Sequence, residues 1–297
     1  MATSKKRATM RAIQYSAYGG GSAALKHVEV PVPSLKKDEV LIKVKAASIN
    51  PADWIIQNGF LRPFLPRFPF TPAGGLAEYV AASESEAAAC PTGISAVDAA
   101  GLPLAGLTAL QALKTIGTKF DGTGGGASVL ITAASGGVGT YAVQLAKLGN
   151  HHVTATCGAR NLELVLGLGA DEALDYTTPE GAALRNKSGR EYDYIINATN
   201  DGRWSVFRPA LSSRGRVVDL APCCENYVAS VTTLFSRKKI AQMVMSLGKE
   251  DLRFLLELMA EGKIRTVADS RHPFEKAAEA WQRSMDGHAT GKIIIEM

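Results

Sequence analysis

Apolar and polar positions along the chain fall into two textures. Through the first hundred residues, short alternating runs are broken by turns. Residues 40–46 have the two-residue period of a half-buried strand, and residues 25–30 and 75–80 read as further strands. Pro31 and Pro33 close the 25–30 run, since proline cannot donate to a central ladder. Between Phe60 and Pro72, prolines recur beside aromatic residues (Pro63-Phe64, Pro66-Arg67-Phe68-Pro69, Phe70-Thr71-Pro72), which keeps this stretch extended or turned.

Near Asp98 the period changes. Leu104, Leu107, Leu110 and Leu113 recur at helical spacing, and residues 122–126, almost all glycine, read as a loop. Beyond that loop, strand, glycine turn and helix alternate. Strands are predicted at 129–131, 153–156, 174–176, 192–197 and 216–220, with helices at 141–148 and 162–168. Such alternation requires crossover helices and predicts an α/β chain built on a parallel sheet covered on both faces. The tail reads as a helix through Phe254 and Met259 stopped by Gly262, a strand at 264–267, a helix at 274–285 and a strand at 292–296. Period alone leaves open whether that last strand joins the parallel sheet or returns to the N-terminal strands.

Composition narrows the class. The 297 residues are 46% apolar and 21% charged, with four cysteines, which excludes a disordered chain and a disulfide-built module. Cys90, Cys157, Cys223 and Cys224 lack zinc-site spacing and read as reduced thiols, which points to a reducing compartment. The net charge of +5 gathers at Lys5, Lys6, Arg7 and Arg11 and at Arg237, Lys238 and Lys239. Both clusters read as solvated surface, with attraction to anionic lipid as the other reading, and no aromatic residues interleave with them as nucleic-acid binding would need. No window holds 18 uninterrupted apolar residues, and no apolar core follows the charged N-terminus. Neither a membrane-crossing helix nor a secretory signal is expected.

The sharpest local signal is Ser128-Val129-Leu130-Ile131-Thr132-Ala133-Ala134-Ser135-Gly136-Gly137-Val138-Gly139, between a predicted strand and a predicted helix. In that context Gly136 lets a phosphate approach the backbone, and Gly139 lets helix and strand pack closely. The amides at the helix start then face an anion. Ala133 stands where the usual G-x-G-x-x-G has glycine, and a structural glycine turn is the alternative reading. No Gly-Lys-[Ser/Thr] follows, so this is not a Walker loop. At the end of the next strand the chain reads Thr156-Cys157-Gly158-Ala159-Arg160-Asn161, without the acid that would hold a ribose diol. Arg160 offers a fork to a 2′-phosphate, which favours NADPH over NADH; a surface arginine at a helix start is the alternative.

His27, His151, His152, His272 and His288 form no metal-ligand spacing, and no G-x-S-x-G elbow exists. With no metal expected and no nucleophile in view, the chemistry falls to a bound cofactor held at reacting distance from its partner, as in hydride transfer.

The loop from Ala133 to Gly139, continuing through Lys147, resembles the cofactor loop of the medium-chain dehydrogenase/reductase superfamily, in particular its zinc-free quinone oxidoreductase branch. Residues 47–54 (Ala-Ser-Ile-Asn-Pro-Ala-Asp-Trp), 102–110 (Leu-Pro-Leu-Ala-Gly-Leu-Thr-Ala-Leu) and 287–293 (Gly-His-Ala-Thr-Gly-Lys-Ile) agree with it. Residues 64–69 and 157–161 resemble the plant chloroplast-envelope members. The resemblance implies a GroES-like β-barrel domain (1–105 with 263–297) and a Rossmann NADPH-binding domain (106–262). It implies NADPH-dependent reduction of the activated C=C bond of lipid-derived α,β-unsaturated ketones, with NADPH:quinone reduction and non-catalytic NADPH binding as alternatives. A chloroplast location, peripheral at the inner envelope membrane, goes with it, cytoplasmic being the alternative; a monomer or homodimer is expected.

Carried over residue by residue, the resemblance puts Asn50, Asp53 and Trp54 on the catalytic side. Asn50 stands where zinc-dependent cousins have a cysteine, and its amide could serve nicotinamide or substrate, or only cap the turn before Pro51. Asp53 could merely brace that turn, and Trp54 could be core or cleft wall. On the cofactor side stand Ala134, Ser135, Gly136, Gly137, Val138, Gly139, Cys157, Arg160, Tyr176 and Thr108. Tyr176 could be strand-end packing, and the Thr108 hydroxyl could back-bond within its helix. Two departures stand out: Ile55 replaces a lysine frequent in relatives, and about thirty residues that relatives carry near 73/74 are lacking.

Overall fold

A computed structural model of the 297-residue chain describes residues 8–60, 62, 68–72 and 75–297. The Lys5-Lys6-Arg7 cluster, most of the 63–69 proline run and the 73/74 junction lie outside the described residues. The chain divides into two compact units: residues 1–101, 248–256 and 268–297 form the first, and residues 102–247 and 257–267 the second. The sequence reading set the breaks at 105/106 and 262/263.

The first unit opens with β1 (Thr9–Gln14) and β2 (Lys26–Pro31), paired antiparallel. The single strand expected at 40–46 is two, β3 (Glu39–Lys43) and β4 (Ala46–Ile49). β3 pairs with β5 (Tyr79–Ser83), and Val44 N–H donates to the Glu78 carbonyl beyond the ladder (2.9 Å). Two helices follow β4 and β5 respectively: α1 (Pro51–Gln57), with proline in its first turn, and α2 (Ala96–Ala100), capped by the Ser95 hydroxyl.

In the second unit α3 (Leu107–Thr115) continues from a π-turn at Leu102–Gly106. There follow β6 (Ser128–Ile131), α4 (Gly137–Leu148), β7 (His152–Cys157), α5 (Leu162–Gly167), β8 (Glu172–Asp175) and α6 (Pro179–Ala182). Next come β9 (Tyr192–Asn197), α7 (Trp204–Ala210), β10 (Leu211–Asp219), α8 (Cys224–Thr232) and β11 (Lys239–Gln242). The six strands form one parallel sheet in the order β11-β10-β9-β6-β7-β8, the doubly wound arrangement whose order reverses beside β6. Ligands in such sheets bind outside the carboxyl ends of the strands.

The tail returns through α9 (Lys249–Ala260), β12 (Ala268–Pro273), α10 (Ala277–Met285) and β13 (Lys292–Glu296). β13 pairs antiparallel with β4, so the C-terminal strand goes back to the N-terminal unit. The strand expected at 264–267 is absent because another partner takes its backbone: the Gln144 side chain on α4 accepts from Arg265 N–H (2.8 Å) and donates to the Arg265 carbonyl (3.0 Å). Ile13, Ile49, Phe274, Trp281, Ile293 and Ile295 pack together as the core of the first unit.

Candidate functional site

The turn after β6 leads into α4 without a side-chain cap, and the first turn of α4 has no acidic residue. Gly136 N–H closes the turn on the Ala133 carbonyl (2.9 Å), Ala134 N–H donates to the Thr156 carbonyl (2.8 Å), and the helical ladder starts with Thr140 N–H on Gly136 (3.0 Å). The amides of Gly137, Val138 and Gly139 are thus left over at the positive end of a twelve-residue helix, the arrangement that binds an anion. Gly139 is required by packing, because a Cβ there would stand 2.3 Å from the Ala133 oxygen and 2.5 Å from Ala134 Cα. Ala133 itself takes φ 48°, left-handed backbone that glycine adopts at less cost. Ala134 is buried and offers only backbone, while the Ser135 hydroxyl accepts from Asn161 Nδ2 (3.1 Å), a brace that sequence reasoning missed.

At the ends of β7 and β8 the structure brings Gly158 and Tyr176 together: a Cβ on Gly158 would meet the Tyr176 hydroxyl at 3.4 Å. Tyr176 is half exposed, and Arg160 is exposed in the short turn Ala159–Asn161 that follows Gly158. Cys157 is buried, and burial, then the nearby Asp175, pushes its thiol up to about 11, so it is a neutral wall rather than a nucleophile. Thr108 gives its hydroxyl to the Leu104 carbonyl (2.7 Å), the back-bond within its own helix.

The ends of β6, β9 and β10 share a buried polar network invisible to motif reading. The Thr132 hydroxyl donates to Asn197 Oδ1 (2.8 Å); Asn197 Nδ2 and Asn226 Nδ2 donate to the two oxygens of Asp219 (2.8 and 2.7 Å). A fully buried carboxylate held by amide donors fixes the strand ends without a cation.

The first unit holds a second constellation. Asn50 is buried at the head of α1; its Nδ2 donates to the Ser48 carbonyl (3.1 Å), and its Oδ1 accepts from the Lys292 ammonium (2.5 Å). Asp53, buried one turn on, accepts from Asn50 N–H (2.8 Å) and so braces the turn. Burial pushes Asp53 up to about 6, against the pull of Asn50 N–H and Lys292. Burial likewise pushes Lys292 down to about 8, against the Asp53 carboxylate. Trp54 packs on the core and donates its indole N–H to Ser284 (3.3 Å). Asn50 and Asp53 therefore act first on each other and on Lys292, which lies 242 positions away and had no signal beyond its place in the 287–293 stretch.

These donors do not suit zinc: an ammonium already occupies the Asn50 oxygen. Among the described residues no group of three or more His, Cys, Asp and Glu could hold a metal ion.

A family model described as "Zinc-binding dehydrogenase" matches residues 168–295. The chain is 50% identical to "Quinone-oxidoreductase QR1, chloroplastic" of Triphysaria versicolor, over 97% of this chain and 98% of that one. It is 49% identical, at the same coverage, to "Chloroplast envelope quinone oxidoreductase homolog" of Arabidopsis thaliana. At 31% stands "NADPH-dependent alkenal/one oxidoreductase, chloroplastic" of Arabidopsis thaliana, covering 96% of this chain and 79% of that one. The first alignment spans 323 residues, more than the 297 of this chain, so part of the relative has no counterpart here. Among solved structures, the quinone oxidoreductase of Coxiella burnetii superposes with a TM-score of 0.84 at 28% identity, covering 98% of this chain and all of that one. The quinone oxidoreductase of Thermus thermophilus, whose structures include a complex with NADPH, gives 0.76 at 28% identity, covering 97% and 100%. With the parallel sheet, the glycine turn and these likenesses in agreement, the chain belongs to the quinone oxidoreductase branch of the medium-chain dehydrogenase/reductase superfamily.

Proposed function

We propose that this protein is an NADPH-dependent oxidoreductase of the chloroplast that reduces a small hydrophobic quinone, in peripheral contact with an envelope membrane. The observation that carries the reading is the head of α4, with three uncommitted amides, no cap and no acid in its first turn. The relatives' names favour quinone reduction over the enone reduction expected first from the sequence. NADPH, when bound, supplies the hydride that, with a proton from water, converts quinone to hydroquinone.

The chain's own residues hold and orient. The amides of Gly137, Val138 and Gly139 receive a pyrophosphate. The Arg160 guanidinium suits a 2′-phosphate, and Tyr176 beside Gly158 gives an aromatic wall for adenosine. On the substrate side we assign Asn50, oriented by Lys292 and Ser48 and braced by Asp53, with Trp54 as supporting core. An alignment longer than the chain supports the reading that residues are lacking near 73/74. No helix among the described residues is long and apolar enough to cross a membrane, which fits a peripheral contact.

Stopped-flow oxidation of NADPH with a benzoquinone tests the reading. Turnover is expected, and none with cofactor bound would reject it. The alkenal/one-reducing relative gives the second reading, and faster turnover with a medium-chain vinyl ketone than with quinone would favour it.

A further inference from the structure

Asn161 stands at the head of α5, where asparagine ordinarily turns its side chain back onto the helix's own first amides. Here it makes no such cap. Its Nδ2 crosses instead to the turn after β6 and donates to the Ser135 hydroxyl oxygen (3.1 Å), 26 positions away in the chain. Asn161 is buried, only 9% exposed, and its own N–H closes the preceding turn on the Gly158 carbonyl (2.9 Å). A buried amide that leaves its local partners for a distant one ties two loops together.

The loops so joined are those assigned above to the pyrophosphate and to the 2′-phosphate. Ser135 belongs to the glycine turn that leads into α4, and Asn161 is the residue after Arg160 in the turn Ala159–Asn161. A backbone tie runs nearby, from Ala134 N–H to the Thr156 carbonyl (2.8 Å). That bond fixes the end of β7, and the Asn161 bond carries the connection past Gly158 to the residue beside Arg160. A guanidinium on a loose turn must be ordered when it grips a phosphate, and that ordering offsets part of what the contact contributes. A turn already held loses less.

We propose that Asn161 is a positioning residue for cofactor selectivity: by tying the Ala159–Asn161 turn to Ser135, it holds Arg160 in register with the glycine turn, so that a 2′-phosphorylated nucleotide meets two loops already ordered. NADH has no 2′-phosphate for Arg160 to grip and gains nothing from the tie. Loss of the tie therefore acts on NADPH alone, whereas loss of a brace that only maintains the fold would weaken both nucleotides alike. The proposal rests on the assignment of Arg160 to the 2′-phosphate, and not on which substrate is reduced.

Fluorescence titration of the full chain with NADPH and with NADH tests it. Asn161→Ala should weaken NADPH about fivefold and leave NADH within about twofold. Ser135→Ala, which removes the acceptor and keeps Asn161 in place, should lose NADPH affinity to the same extent. The Arg160→Ala/Asn161→Ala double variant should bind NADPH no more weakly than Arg160→Ala alone, because the tie acts only through the guanidinium. Equal losses for NADPH and NADH in Asn161→Ala would overturn the proposal, and so would losses that add in the double variant. If Arg160→Ala weakens NADPH while Asn161→Ala and Ser135→Ala do not, the proposal fails and the Arg160 assignment stands. If Arg160→Ala binds NADPH as the wild type does, both fall.

Discussion

The two units are built from strands of similar length, yet they bury them very differently. β6 is buried throughout, and five of the six residues of β7 are. In the first unit no residue of β2, β3, β5 or β12 is fully buried. Leu41 and Ile42, neighbours on β3 that point to opposite faces, are 40% and 38% exposed. The parallel sheet takes its strands and covering helices from one nearly continuous stretch, and each crossover covers what the previous strand exposes. The first unit must gather strands from both ends of the chain into two- and three-stranded sheets. The parallel-sheet unit thus forms from local sequence, while the first unit depends on distant pairings and on a few buried polar ties.

Hydrogen exchange would sharpen this contrast most. Amides of β6 and β9 are expected to exchange only through global unfolding, and those of β3 and β5 at least about a hundredfold faster. Equal protection in the two units would break the comparison. Gly139→Ala, which forces a Cβ against the Ala133 backbone, should cost about 3 kcal/mol in denaturant melts and abolish nucleotide binding. Gly125→Ala, with open space around it, should be silent in both assays.

The buried pair in the first unit gives a pH signature. Asp53 is raised to about 6 in the fold, so its contribution to stability is full below its unfolded value of 3.8 and is lost as pH rises through about 6. Urea melts of the wild type should therefore weaken by about 2 kcal/mol between about pH 4 and pH 7, a loss that Asp53→Asn should not show. Parallel curves would remove Asp53 from the account. Lys292, lowered to about 8, has the opposite sign: its contribution is full above 10.5 and lost as pH falls through 8. A smaller effect is expected for the proposed 2′-phosphate contact: Arg160→Ala should weaken NADPH about tenfold in a fluorescence titration and leave NADH unchanged. Smallest of all, Ala133→Gly should stabilise by about 0.5 kcal/mol by relieving the left-handed alanine.

What was legible in the sequence follows the same division. The glycine turn, α4 and five of the six sheet strands could be read because their signals are local: apolar period, glycine and the bare start of a helix; β11, whose run Lys239-Ile240-Ala241-Gln242 is short and mixed, was not read. Lys292 could not, since its partners Asn50 and Asp53 lie at the other end of the chain and a lysine in a strand reads as surface. α8 escaped because periodic reading takes an apolar stripe to point inward, and here Asn226 holds the polar face inside. The strand expected at 264–267 failed because a single side chain, Gln144, claims that backbone. Thr108 was open to two readings, and a contact four residues back, within one helix, takes its hydroxyl.

The most direct measurement is calorimetric titration of the full-length protein with NADPH, beside the Gly139→Ala variant. The head of α4 predicts a single saturable site in the wild type and no heat in a variant that remains folded. A wild type that takes up no nucleotide, or a folded variant that binds it equally well, would contradict the account.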